Sequence, residues 1–163
     1  MFRKGDIVVY PQQGPALVEK LVDLPAGTKT ATYYRLRVLQ GNLAIMVPVQ
    51  IAAQVGLRSV ASKTAAEKVL RLMGEPPRDA SGEHWSARFK QAAGNVRSGE
   101  LEELAAVVRD LYHRRKKREH SASEWALYRR ARQMLVSELA LALHRPQEKT
   151  DATVDRILEH AAF

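Results

Sequence analysis

An α+β chain in two parts is what this sequence predicts: a small antiparallel β-barrel over residues 1–60, then a compact domain of about five helices over residues 61–163. Three observations lead there. The apolar period is close to two before residue 60 and close to 3.6 after it. Clusters of Gly, Pro and Asn punctuate the first part at the short spacing of small strands. The second part carries helix-start signals, Ser or Thr followed three residues later by Glu.

In the first part, "DIVVYP" is an apolar strand stopped by Pro11, and "QQG" is turn-like around Gly14. "PALVEKLVD", "TYYRLRVLQ" and "LAIMVPV" follow, separated by Pro25-Ala26-Gly27 and Gln40-Gly41-Asn42. The middle one of these alternates. Tyr34, Leu36 and Val38 share one face, and Arg35, Arg37 and Leu39 share the other. Four or five short strands in this length suit a barrel, whose closure removes vulnerable edges.

In the second part, "SKTAAEKVLRLM" opens on a capping box formed by Thr64 and Glu67 and ends at Gly74. "EPPRDASG" is a loop. A second helix carries Trp85, Phe89, Ala92, Ala93 and Val96 and ends near Ser98-Gly99. A third carries Leu101, Leu104, Val108, Leu111 and Tyr112 and runs into "HRRKKREH". A fourth starts at a capping box of Ser121 with Glu124 and continues through Tyr128, Ala131, Leu135, Leu139 and Ala142 to Pro146. Thr150 or Asp151 caps a fifth that ends at the C-terminus. Each amphipathic stripe needs a facing stripe, so the helices pack together.

Composition narrows the function classes. With 45% hydrophobic residues the chain has enough apolar surface for a packed core. It has no cysteine, which excludes disulfides and thiolate metal sites and suits a reducing cytoplasm. No apolar run reaches the length of a signal peptide or a membrane span, so the expectation is a cytoplasmic protein. The formal net charge is +8, and between Arg109 and Arg132 nine Lys or Arg face three Asp or Glu, a net of +6. Concentrated positive charge favours a polyanionic partner, although a basic run by itself equally fits a solvated helix face.

The familiar catalytic patterns are missing. There is no GxxxxGK[ST], GxGxxG or GxSxG, and the five histidines show no HExxH spacing. His84 reads as a polar surface residue. The expectation is a protein that is not an enzyme and that uses no cofactor or metal.

The two tryptophans pose the central question. Trp85 lies in line with Phe89, Ala92 and Val96, and Trp125 with Tyr128, Ala131 and Leu135. This spacing favours core roles for both, and more so for Trp125. Trp85 also stands in the first turn of its helix, beside a Gly/Pro-rich loop and followed by Arg88 and Lys90. An aromatic flanked by cations suits a wedge between base steps, with the cations on phosphates. Spacing leaves both roles open for Trp85.

The segments "KGDIVVYPQQGPALVEKL", "IMVPVQIAAQVGLRSV" and "HWSARFKQ", and "GELEELAAVVRDLY" followed by "SELALA", are similar in kind and order to the CarD/CdnL family of bacterial transcription regulators. The resemblance runs from about residue 2 to residue 143. It implies a Tudor-like barrel that binds the RNA polymerase β subunit, a module shared with transcription-repair coupling factor. It also implies a helical domain that meets promoter DNA at the upstream fork of the bubble. There a tryptophan in the context W-[SN]-x-R-[YF]-[KR] acts as a wedge that stabilises the open complex. Trp85, Arg88, Phe89 and Lys90 stand at those positions.

Two positions depart from the family pattern: Ala87 where relatives often carry Arg, and Trp125 where they carry Lys or Arg. The "HRRKKR" run and Arg129-Arg130 offset that loss of charge. By this resemblance Trp85, Arg88, Lys90, Arg114, Lys117 and Arg129 are the candidate DNA contacts. Leu36, Met46 and Pro48 are the candidate polymerase contacts, with Met46 making the docking apolar rather than ionic. The expected protein is a monomeric regulator, held near the nucleoid by polymerase, with weak and largely sequence-independent affinity for DNA. The competing readings are a sequence-specific repressor and a Tudor/SH3-like RNA- or ribosome-associated module. A repressor would need a tight turn between the third and fourth helices, where this chain has a charged run.

Overall fold

The computed structural model describes residues 1–78 and 84–161, in two compact units, Met1–Val60 and Ala61–Phe163. The last part of the loop expected over 75–82 lies outside the described residues.

The first unit is a five-stranded antiparallel sheet of β1 (Ile7–Tyr10), β2 (Gly14–Ala26), β3 (Lys29–Val38), β4 (Ala44–Pro48) and β5 (Arg58–Ser59). The strands are ordered β4-β3-β2-β1-β5. Pro11 ends β1, and the chain reverses where Gln13 N–H donates to the Tyr10 carbonyl at 3.0 Å. The β2–β3 hairpin pairs Ala26 with Lys29 across Gly27, whose φ of 65° lies in the left-handed region that favours glycine. The alternation read in β3 is present: Tyr34, Leu36 and Val38 are buried, with Val8, Val18, Val47 and Leu57 packed around them. The Tyr34 hydroxyl accepts the Phe2 backbone N–H at 3.1 Å, tying down the N-terminal residues.

One irregularity in the sheet has a chemical effect. The β2–β3 register shifts between Val18 and Lys20, leaving Glu19 as an extra residue. A bulge of this kind redirects a side chain. Here the Glu19 carboxylate meets Arg35 at 3.1 Å and also accepts a hydrogen bond from Arg37 Nε.

The second unit holds α1 (Lys63–Met73), α2 (Trp85–Ser98), α3 (Leu101–Arg115), α4 (Ala122–Ala142) and α5 (Gln147–His160). The helix count matches the sequence reading, but two starts differ. Helix α1 is capped by Ser62, whose Oγ accepts from Ala65 N–H at 3.1 Å, two residues before the Thr64 box. Helix α5 begins after Pro146, so Thr150 lies inside it, buried, with Oγ1 donating to the Pro146 carbonyl at 3.0 Å. Pro146 at the cap position lacks an N–H and biases the residue before it away from helix, so α5 begins just after it.

Helix α4 is central. Every residue from Met134 to Ala140 is buried. Leu135 and Leu139 lie fully inside, as do Leu104 and Val108 of α3, Ala66 and Val69 of α1, and Val154 and Leu158 of α5. Polar ties reinforce the packing. Arg132 on α4 donates to Asp151 and Asp155 on α5 at 2.8 and 2.6 Å and to the Tyr128 hydroxyl at 3.1 Å. Arg109 on α3 donates to the Leu72 carbonyl of α1 at 3.1 Å.

Candidate nucleic-acid interface and docking edge

Helix α2 begins at Trp85 with no side-chain cap, and among its residues only Val96 is buried. Its apolar stripe is therefore shallow at the N-terminal end. The indole of Trp85 stacks on Phe89 one turn on, with ring centroids 5.4 Å apart and planes 15° apart. Its Nε1–H donates to the Glu124 carboxylate. With that edge held by the protein, the residue is still 40% exposed.

Glu124 is the unexpected member of this site. Its backbone N–H donates to Ser121 Oγ at 3.1 Å, as the sequence pattern predicts for a helix cap. A full capping box would turn the carboxylate back to the Ser121 backbone. Instead the carboxylate is buried, holds the Trp85 indole, and pairs with Arg114 at 3.2 Å. One acidic group thus joins α2, α3 and α4. The Ser-x-x-Glu spacing signalled the cap, and nothing local signalled the tertiary partners.

This geometry changes the reading of Arg114. Its side chain is only 20% exposed and is engaged by Glu124, so it braces the tryptophan site from within instead of reaching for a phosphate. The other candidates divide by exposure. Lys90, Lys117 and Arg129 are exposed, while Arg88, one turn after Trp85, is half-buried.

Trp125 also departs from expectation. It is 37% exposed and is not part of the core. It stacks on Tyr128 at 5.6 Å with planes 18° apart, and the Arg115 guanidinium carbon lies over its ring, 4.6 Å from the centroid. At this end of α4 only Glu124 among residues 121–126 is buried, so the stripe that leads inward further along is part exposed here. Nearby, His113 is buried in the last turn of α3. Burial, together with the Lys116 and Arg109 cations, holds its imidazole below the ordinary histidine value.

In the sheet unit the candidates also separate. Leu36 is 0% exposed, at the centre of the core, and offers no surface to a partner. It is withdrawn as a polymerase contact. Met46 is 41% exposed on β4, directly opposite Arg35, and Pro48 pairs with Tyr33 at the end of the same strand. Strand β4 closes one end of the strand order, so its outer backbone edge follows no further strand in the sheet. On the Met46 face, the Glu19 carboxyl is held below its ordinary value by its hydrogen bond to Arg37 and by the Arg37 and Arg35 charges, against an opposing effect of burial. The methionine thus sits opposite an arginine that shares one carboxylate with Arg37. Among the described residues no cluster of His, Asp or Glu is arranged to hold a metal ion, and no helix is long and apolar enough to cross a membrane.

Comparison with known proteins adds to this geometry. Residues 2–61 match the CarD-like/TRCF RID domain, and residues 68–155 match the CarD C-terminal domain. A protein of Bacillus subtilis (strain 168), named "Putative transcription factor YdeB", is 30% identical over 141 residues, which cover 85% of this chain and 90% of that protein. The chain belongs to the CarD family of transcription factors.

Proposed function

We propose that this CarD-family regulator docks on the RNA polymerase β subunit through the β4 edge of its sheet unit, and that its helical unit lays Trp85 against promoter DNA at the upstream edge of the bubble. The observation that carries the reading is Trp85 itself. A large aromatic ring stands part exposed, braced by Phe89 and Glu124, with Arg88 and Lys90 on the same helix. Such a ring adds a stacking partner to an unstacked base step, and the cations meet the phosphates on either side.

The mechanism is differential binding. Contacts made better in the open than in the closed complex shift that equilibrium, and about 1.4 kcal/mol changes the ratio tenfold. The bracing of the indole supports this role, because a ring already held in place loses little entropy on binding. Docking by the sheet unit supplies the local concentration, so affinity for DNA in the absence of polymerase is low. An exposed sheet edge with an apolar side chain beside it suits pairing with a strand of the partner.

The test is the lifetime of open complexes on one promoter, with and without the protein, after addition of a competitor. A longer lifetime is expected. An unchanged lifetime, with polymerase binding intact, would contradict the reading.

A further inference from the structure

The turn between α3 and α4 is built unlike a solvated basic loop. Arg115, Lys116, Lys117 and Arg118 are all exposed, yet two of these four side chains rest on aromatic rings. Arg115 lies over Trp125 at 4.6 Å, and Lys116 Nζ lies 4.9 Å from the Tyr112 ring centroid. The far end of the turn is fastened too. His120 Nε2 donates to the Leu111 carbonyl at 2.7 Å, and the imidazole lies 6.2 Å from Trp125 and 6.0 Å from Tyr128. Tyr128 is itself fixed, because its hydroxyl accepts from Arg132, which is bonded to α5.

We infer that Trp125 and Arg115 form a second nucleic-acid contact in the helical unit, separate from Trp85, in which the tryptophan is a shelf that presents the Arg115 guanidinium to a backbone phosphate. A guanidinium that lies over an aromatic face keeps its N–H donors free around its rim, while the ring restricts its rotation. Free surface arginines lose that freedom when they bind; this one has lost most of it in advance. The four consecutive exposed cations Arg115, Lys116, Lys117 and Arg118 suit a polyanion, and the planar fork of donors on Arg115 matches phosphate oxygens. Tyr128 stacks on the indole and Arg115 lies over its ring, where an incoming base would have to displace them, so the contact is to phosphate and not to a stacked base. Trp125 is thus a positioning residue, and Arg115 makes the contact. The inference rests on the reading of the helical unit as the part that meets DNA, but not on the wedge role of Trp85.

The test uses the full-length protein, a short duplex of arbitrary sequence and low salt, without polymerase. Affinity is measured over a salt series for the parent, Arg115→Gln, Trp125→Leu, Trp125→Phe and the Arg115→Gln/Trp125→Leu double variant, with thermal melting to confirm folding. Removal of one phosphate contact is expected to lower the slope of log affinity against log salt by about 0.9 for Arg115→Gln. Trp125→Leu should weaken binding about threefold, the size of a solvent-exposed cation–π contact. Trp125→Phe, which keeps a ring under the guanidinium, should recover most of that loss. Once Arg115 is gone, replacement of Trp125 should cost nothing further. Independent, multiplying losses in the double variant, or full affinity in a folded Trp125→Leu protein, would overturn the inference. Failure of the parent itself to bind DNA with any salt dependence would instead remove the phosphate contacts of the function proposed above, and this one with them.

Discussion

The two units support their candidate contact surfaces by different means. Among the described residues, the buried polar and charged side chains, Arg109, His113, Glu124, Ser137, Glu138 and Thr150, all lie in the helical unit. The core cluster of the sheet unit is apolar apart from the Tyr34 hydroxyl, and its candidate contact, Met46, is a plain side chain on a terminal strand. The difference follows from what each surface has to present. A sheet edge offers its backbone groups in a fixed row, so the ladder itself supplies the geometry. A side chain that leaves the end of a helix has no such row. Trp85 and Arg115 are fixed by tertiary partners, Glu124 in one case and Trp125 in the other.

The largest effects should come from attacks on the two kinds of support. Leu36→Ala removes core volume from the sheet unit and should cost about 2–4 kcal/mol of its stability. Glu124→Ala leaves Arg114 and the Trp85 indole without their shared acceptor and should cost the helical unit about 2–3 kcal/mol, somewhat below the range for a fully buried pair. Chemical denaturation with probes in each unit measures both. A cost below about 0.5 kcal/mol for Glu124→Ala, the range of ordinary surface substitutions, would show that the helical unit is not braced by this carboxylate.

Next in size is the docking edge. Met46→Asp should leave the sheet unit folded, because the side chain is exposed, and should weaken binding to a fragment of the polymerase β subunit at least about tenfold, or about 1.4 kcal/mol. Unchanged binding by a folded Met46→Asp protein would remove β4 from the interface.

The smallest effect is a pH dependence confined to the helical unit. The folded chain holds His113 below the ordinary value, so on acidification the unfolded chain takes up the proton first, near pH 6.5. Stability from this group is therefore complete above that pH and falls as the pH drops below it, until the folded imidazole itself titrates. Melting of the helical unit between pH 7.5 and pH 5 should show the fall, and His113→Leu should flatten it. The sheet unit has no histidine among its 60 residues, so it should show no such step.

Much of this organisation was legible in the residues. The change of period near residue 60 located the two parts, and the alternation in β3 identified the buried face. Turn chemistry separated the strands, because φ above zero at Gly27 and a Pro after β1 are local requirements. What sequence could not show are features decided by contacts distant along the chain. The tie just before α1 is one: Ala61 N–H donates to Glu138 Oε1 at 3.0 Å, a partner 77 residues away that no local pattern signals. Trp125 is another. Its spacing places it on the inward stripe of α4, but only the helices packed around that turn decide whether the stripe is covered. Leu36 shows the reverse error: the period had already assigned it to the inner face, and the resemblance drew it outward.

The central claim is that Trp85 is braced by the protein in order to act on DNA, and the decay of open complexes formed with Trp85→Ala protein, alongside its melting temperature, tests this most directly. A buried core aromatic would cost about 3–5 kcal/mol on truncation. Trp85, part exposed and joined by one stack and one hydrogen bond to a carboxylate, should cost about 2–3 kcal/mol, at or below the bottom of that range, and binding to polymerase should persist. A modest fall in melting temperature is expected, together with open complexes that decay as fast as without the protein. A large loss of stability, with open-complex lifetime still extended by the folded fraction, would contradict the claim and return Trp85 to a purely structural role.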